Sequence, residues 1–491
     1  MYLYSSEQMN YIDRYNEEVL KIDTITLMGR AGKALAQAAQ KTGKKKIAVV
    51  CGTGNNGGDG LACAFFLADY CEADVFLAKE VKSAAAKYYL ELLKNTRVKI
   101  FTDFKKDFSK YDLIIDAVFG TGLKKEVTGE YKDIIDAINQ SNAFVISADI
   151  PSGLNSDNGV AEGVCVKADI TVTFVGYKLG QFLNQGLDVC GEIILDDIGA
   201  VIPQGDYVCV PDQVVLPKRK KNAHKGDFAN VKIIAGSGQM CGAAYLGLSA
   251  ANAALTCGAG LVTLATPASI KHAYMPRVAE SMLFFLSDQD GKVVFVKEEI
   301  DNLLKKADVL VIGMGLGKSQ EAGKIINYVL KNYSITVIID ADGINSLNLD
   351  SLIDAKSKVI LTPHIGEFAR LLNIEIDQVK RDPIGLAKKF SKEYGVITVL
   401  KSNATVITDG SQVLVNITGT PAQAKGGSGD VLAGCMGALQ KVLPGLTGCY
   451  AACYICGRAA IEAEAQKGSY SVLASDVIAN IPNVIKELIE K

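Results

Sequence analysis

At 491 residues the chain exceeds one hydrophobic core, and at about 100 to 200 residues per domain it should form two large domains. Hydrophobic residues make up 49%, charged residues 22%, and the formal net charge is −2, the balance of an ordinary globular protein without a nucleic-acid footprint. With three His a histidine-based metal centre is not expected, and the twelve scattered Cys read as buried free thiols, the CYIC stretch (Cys453 to Cys456) included.

The amino terminus, MYLYSSEQMNYIDRYNEEV, is polar and has no signal-peptide core, so a cytoplasmic protein is expected. The first half then alternates β-branched runs with helical stretches. KIAVVCG, ADVFLA, YDLIIDAVFG, FVISADIPSG and ITVTFVG are apolar runs bounded by turn residues, as strands buried on both faces of a parallel sheet should be. Leu61 to Tyr70, Ala84 to Lys94 and Lys132 to Asn139 have helical length and composition. This βαβα pattern predicts a doubly wound, Rossmann-like sheet with helices on both sides.

The pattern stops around Pro203 to Asn222, where PDQVVLPKRKKNAHKGDF carries two prolines and the basic run Lys218 to Lys221. An exposed connection is expected there, with domains at residues 1–213 and 214–491; a polyphosphate contact is the other reading of the basic run. A second series follows: VKIIAGS, GLVTLAT, ADVLVIGMGLG, TVIIDADG, VILTP, VITVLK, TVITDG and QVLVNI, then helical material from Val431 onward. Gly242 to Ala268, built of small residues, reads as a packed helix and strand and not as a membrane span. The halves show no sequence similarity and are expected to be two different three-layer α/β domains.

Ligands of parallel α/β sheets sit outside the carboxyl ends of the strands. GTGNNGGDG follows the first strand and opens a helix, so N–H groups among its glycines could cradle an anion. Gly52, Gly54 and Gly57 have the GxGxxG spacing of a dinucleotide turn, with Glu80 as a candidate for its acid. Asn55, Asn56 and Asp59 argue against that reading, because they put side-chain oxygens where the fingerprint wants bare backbone. IIDAVFGTGL places Asp116 ahead of Gly120, Thr121 and Gly122, and SADIPSGL places Asp149 and Ser152. Asn56, Asp116 and Ser152 could converge as hard oxygen ligands of a cation, although each alone would serve equally as a cap or turn former.

GTGNNGGDG, DAVFGTG and DIPSG, in that order at strand ends, resemble the motif set of the NAD(P)H-hydrate epimerase family over about the first 200 residues. The resemblance implies potassium at Asn56, Asp116 and Ser152. It also implies that the damaged nucleotide is held by Asn55, Asn56, Gly57, Gly58 and Asp59, by Gly120, Thr121, Gly122, Leu123, Lys124, Lys125 and Glu126, and by Asp149. Epimerisation at C6 of the hydrated ring needs a proton acceptor or donor near the hydroxyl, and Asp149 is assigned that role, since a carboxylate among buried turns can be tuned by desolvation.

In the second half AKGGSGDVLAG, Ala424 to Gly434, enters a helix with free N–H groups and the positive end of the helix dipole, a place for phosphate. Asp430 lies in the first turn, where the dipole is expected to favour its ionised form, so that it can orient a substrate hydroxyl for attack. A plain glycine-rich cap is the other reading. The loop resembles the anion hole of the ribokinase-like fold. With HKGDFANVKIIAGS, GAAYLGLSAANAALTCGAGLVT, GMGLG, TPHIGEFARLL and KSNAT, roughly residues 220 to 490 resemble the nucleotide-dependent NAD(P)H-hydrate dehydratases. By that resemblance the adenine nucleotide lies against Lys401, Ser402, Asn403, Ala404, Thr405 and Gly429. The hydrated substrate meets Ala243 or Ala244, a glycine of the Gly315 to Gly317 turn, His364 and Asp430. Ser402 stands where that family commonly has Gly, and Met314 where it has Pro, which leaves the backbone approach to the nucleotide open.

The combined resemblance implies a bifunctional repair enzyme for hydrated NADH and NADPH that uses K⁺ in the first domain and Mg²⁺ with ADP, or ATP, in the second. Its partners would be these small molecules, with no nucleic acid or membrane, in a homo-oligomer. Two rivals stand beside it: a kinase of a small alcohol such as a vitamin precursor, and a first domain that only binds or scaffolds.

Overall fold

A computed structural model describes residues 1–102, 107–238 and 241–489, without the side chains of 241–246. The chain divides into two compact units, Tyr2–Val208 and Cys209–Lys491, the latter also taking Met1.

The first unit holds seven parallel strands: β1 (Lys46–Cys51), β2 (Glu72–Leu77), β3 (Lys99–Phe101), β4 (Leu113–Ala117), β5 (Phe144–Ala148), β6 (Ile170–Phe174) and β7 (Glu192–Asp196). They are ordered β3-β2-β1-β4-β5-β6-β7, so the order reverses beside β1. Their β-branched and apolar side chains alternate between two cores, and this is why each strand reads as a nearly continuous apolar run. Ile47, Val49 and Ile115 pack with the Thr24–Lys41, Asn55–Leu67 and Ala84–Leu93 helices, while Ala48, Val50 and Ile114 pack with Glu130–Gln140. The first two of these helices approach so closely that a Cβ on Gly32 would lie 2.4 Å from the Ala62 methyl.

The second unit contains β8 (Asn230–Ile234), β9 (Leu261–Pro267), β10 (Met282–Leu286), β11 (Val309–Ile312), β12 (Thr336–Ile339), β13 (Lys358–Leu361), β14 (Ile397–Leu400), β15 (Thr405–Thr408) and β16 (Val413–Asn416). Their order is β10-β9-β8-β11-β12-β13-β14-β15-β16, parallel through β14 and antiparallel over the last two steps. Val231, Val309 and Val311 face a helical layer made by Cys241–Thr256, Ser428–Leu439, Leu446–Lys467 and Ala474–Leu488. Leu310 and Ile312 turn the other way and are equally buried. Cys435, Cys449, Cys453 and Cys456 are free thiols inside this layer. Both units are thus three-layer α/β structures. Among the described residues no helix is long and apolar enough to cross a membrane.

Candidate active sites

In the first unit the loops after β1 and β4 flank the point where strand order reverses, the expected crevice of an open α/β sheet. With the end of β5 they border a cavity of about 720 Å³, lined by Asn55, Asn56, Asp59, Gly120 through Lys125 and Asp149. Of the residues expected to hold substrate, Gly57, Gly58 and Glu126 stand outside its lining. The helix expected from Leu61 begins at Asn55, so Asn55 to Asp59 form its first turn and not a loop. The glycines there resist helix formation by propensity, but packing requires them. A Cβ on Gly57 would come within 2.1 Å of the Gly52 carbonyl, and one on Gly58 within 2.4 Å of the Met28 methyl. No side chain caps this helix, so its first N–H groups remain open at the cavity.

Asn56, Asp116 and Ser152 meet around the Phe119 peptide. The Asn56 amide donates to the Phe119 carbonyl (2.9 Å), and the Phe119 N–H donates to the Ser152 hydroxyl (2.8 Å). Asp116 accepts from the Ser152 N–H (2.9 Å) and the Ser147 hydroxyl (2.8 Å). Asp116 is fully buried, and burial raises its pKa against these hydrogen bonds. The buried Asn56 Oδ1 has no hydrogen-bond partner among the described residues. A buried carboxylate without a cationic side chain among the described residues, in one network with an orphaned amide oxygen, fits an oxygen-coordinated cation.

Asp149 occupies the left-handed region (φ 66°), a strained conformation of order 1–3 kcal/mol that its surroundings impose. Its N–H donates to the Val172 carbonyl (2.8 Å), and its own carbonyl accepts from the Gln181 amide (2.9 Å). The carboxylate forms an ion pair with Lys178 and accepts from the Phe174 N–H (3.1 Å). Lys178, 1% exposed, also donates to the Thr173 hydroxyl and the Phe174 carbonyl, both at 2.8 Å. Two further carboxylates share this field. Burial, with Asp149 and Asp13 next, holds Asp59 well above the usual carboxylate range, and burial with Asp149 pushes Asp13 up to about 6; Lys178 opposes both shifts. Sequence reasoning missed Asp13 and Lys178; the one signal was a lone lysine closing an apolar strand-end run, ITVTFVGYKLG.

In the second unit the candidate site lies at the carboxyl ends of β12, β13 and β14. The Lys401 N–H donates to the Pro363 carbonyl (2.8 Å) and a bridge pairs His364 with Lys401, so TPHIGE lies alongside KSNAT. His364 caps the Ile365–Leu372 helix, its Nδ1 accepting from the Gly366 and Glu367 N–H groups (3.0 and 3.2 Å). The imidazole proton therefore sits on Nε2, which faces Glu367 Oε1 at 3.5 Å. Gly427 precedes the Ser428–Leu439 helix at φ 96°, a conformation suited to glycine, with no side-chain cap on the helix N–H groups. A Cβ on Gly429 would lie 3.5 Å from Lys401 Nζ and 3.7 Å from Asp340 Oδ2, which sets the glycine loop against an ion pair.

That pair joins Lys401 to Asp340 at 2.6 Å, with the Thr362 hydroxyl donating to the same carboxylate oxygen at 2.7 Å. Burial disfavours the Lys401 ammonium, but Asp340, Glu367 and Asp430 outweigh it and raise its pKa. Asp430 corrects an expectation. Burial and the neighbouring Asp340 push it up to about 7, so desolvation and like charge exceed the dipole expected to ionise it. The Gly315 to Gly317 turn is tied in through the Gly317 N–H, which donates to Asp342 (2.8 Å). Ser402 needs no positive φ, and its hydroxyl donates to the Ala404 carbonyl (2.7 Å), so serine fits where glycine was expected. Met314 is buried and its carbonyl accepts from the Gly236 N–H (2.9 Å). Asn403 accepts from the Ala404 N–H, while Ala404 and Thr405 are buried at the loop base. Ala243 and Ala244 fall at the start of the Cys241–Thr256 helix, where side chains lie outside the described residues. Asp340 was missed by sequence reasoning, although TVIIDADG ends a strand in two carboxylates.

Comparison with known proteins places the chain in a family. Residues 231–483 match the NAD(P)H-hydrate dehydratase family model, and residues 24–180 match that of the YjeF-related protein N-terminus. The bifunctional NAD(P)H-hydrate repair enzyme of Moorella thermoacetica is 32% identical over 527 residues, covering 100% of this chain and 98% of that one. Its namesake from Coxiella burnetii is 34% identical over 495 residues, covering 98% of each. Among solved structures, an ADP/ATP-dependent NAD(P)H-hydrate dehydratase from Bacillus subtilis is 25% identical and covers 56% of this chain and 95% of that one, with a TM-score of 0.47. Full-length identity to the curated relatives and the two domain matches together show that the chain belongs to the family of bifunctional NAD(P)H-hydrate repair enzymes.

Proposed function

We propose that the chain repairs hydrated NADH and NADPH in the cytoplasm. The first domain interconverts the R and S hydrates, and the second dehydrates the S form at the expense of ADP or ATP, giving NAD(P)H, AMP or ADP, and phosphate. The observation that carries the second activity is Asp430 in the first turn behind a glycine loop with free N–H groups, set against the Lys401–Asp340 pair. Hydroxide is a poor leaving group, and phosphorylation of the C6 hydroxyl makes it a good one. Asp430 takes the hydroxyl proton as the oxygen attacks the terminal phosphorus, and the loop N–H groups hold the developing charge. Loss of phosphate from C6 and of a proton from C5 then forms the C5=C6 double bond. His364 donates from Nε2 to the bound substrate, and Lys401 to Thr405 with Gly429 hold the nucleotide.

In the first domain Asn55 to Asp59 and Gly120 to Glu126 hold the damaged nucleotide, and Asp149 gives or takes a proton at the C6 hydroxyl. Potassium would be held by Asn56, Asp116 and Ser152, the set whose orphaned oxygen fits it, and would supply fixed positive charge beside the substrate. Mg²⁺ would neutralise charge on the nucleotide phosphates, its usual partners together with one or two carboxylates.

Adding the full chain with ADP or ATP to a mixture of both hydrate epimers should restore reduced-nicotinamide absorbance completely and release one phosphate per ring. Recovery that stops at the S fraction would remove the first activity, and a stable phosphate ester would make the second domain a kinase of a small alcohol.

A further inference from the structure

Four acids line the first cavity: Asp13 from the Ser6–Arg14 helix, Glu17 from the turn that continues it, Asp59 from the Asn55–Leu67 helix and Asp149 from the end of β5. Asp149 is committed to Lys178. Among the described residues the Asp13 carboxylate has neither a hydrogen bond nor an ion pair. Its side chain is open to the cavity yet walled by protein on its other sides, and it lines the cavity with Met9 and Asn10 of the same helix, a wall distinct from the strand-end loop that carries Asp149. The charged groups around it are Glu17, four residues on, Asp59, Asp149 and Lys178, with Lys124 and Lys125 from the loop after β4.

Inversion by loss and return of the C6 hydroxyl uses both faces of the ring, and one side chain held in a cavity reaches one face. We infer that Asp13 is a second proton-transfer residue of the epimerase, working across the ring from Asp149, and that inversion replaces the C6 hydroxyl with solvent water. This rests on the epimerase reading of the cavity.

C6 bears the hydroxyl and is bonded to the ring nitrogen N1. The carboxylic acid of Asp13 gives its proton to the hydroxyl oxygen, and the C6–O bond breaks with its electron pair leaving in water. The N1 lone pair closes a C6=N1 double bond and leaves a cation. Water adds to the opposite face, its lone pair forming the new C6–O bond while the C6=N1 pair returns to N1. The proton lost by this water passes to Asp149. One water leaves, one enters, and one proton has moved between carboxyl groups; the reverse reaction exchanges their roles. A pKa of about 6 leaves Asp13 able both to give and to take a proton near neutrality.

The test uses the full chain with purified R hydrate in water enriched in the heavy oxygen isotope, with mass spectrometry of the S product. One solvent oxygen should enter per inversion. Asp13→Asn should lower kcat for epimerisation at least about 100-fold with little change in KM, while dehydration of the S hydrate is unchanged and Asp13→Glu restores part of the rate. Inversion without solvent oxygen would point to opening of the N1–C6 bond and overturn the route. A wild-type kcat in Asp13→Asn, or a rise in KM alone, would overturn the assignment of Asp13. A native chain unable to interconvert the epimers would overturn the epimerase reading itself.

Discussion

Numbered within each domain, the first seven strands run 3-2-1-4-5-6-7 in both sheets, and both candidate sites lie at the carboxyl ends, the first beside the reversal and the second over the strands that follow it. The halves show no sequence similarity, and a shared order was not expected from them. What differs is the material of the loops. The first site presents side-chain oxygens (Asn56, Asp116, Ser152) and carboxylates arranged about Lys178. The second presents backbone N–H groups at Gly427 to Asp430 and sets Lys401 against Asp340. One architecture thus supplies a crevice, and the loop chemistry decides whether it suits proton transfer in a hydrated cavity or the charge of a moving phosphoryl group.

The largest expected effects separate the two halves. Asp430→Asn should lower nucleotide-dependent dehydration by about a thousandfold and leave epimerisation intact. Asp149→Ala should strand the R hydrate beyond its slow spontaneous exchange while the S hydrate is still repaired. Chromatography of the two epimers reads both. Loss of both activities in either variant would break the picture of two independent sites.

Next comes the contrast between the ion pairs. Asp340 is 3% exposed and Asp149 14%, so Asp340 is the more dependent on its lysine's charge. Lys401→Met should cost about 3–5 kcal/mol by leaving Asp340 uncompensated, and Lys178→Met should cost less. Urea unfolding measures both, and an equal loss would erase the distinction. The smallest effect is a shift in pH dependence. Asp430 works as its ionised form, so dehydration should rise with pH through about 7. Asp340→Asn removes the negative neighbour that raises Asp430, so the acid limb of the kcat/KM profile should move to lower pH. An unmoved limb would leave burial as the sole cause of the shift.

Much of the site was legible because it is written locally. Apolar runs ending in GTGNN, DAVFGTG, DIPSG and TPHIGE announce strand ends, and turn chemistry acts within a few residues, so Asn56, Asp116 and Ser152 could be grouped before their contacts were known. Propensity misplaced the start of the Asn55–Leu67 helix, since glycines weaken a helix in isolation and only contact with Gly52 and Met28 makes them necessary. Lys178 is 29 residues from Asp149, and Asp340 is 61 from Lys401. No local pattern encodes either pairing.

By itself the sequence determined the αβ alternation, the position of the strand-end motifs and the family they resemble, all consequences of short-range periodicity and turn preference. Tertiary structure alone decided the common strand order and the partners of the acids. It also decided the ionisation of Asp430, because desolvation and Coulomb interaction depend on distance in space and not on separation along the chain.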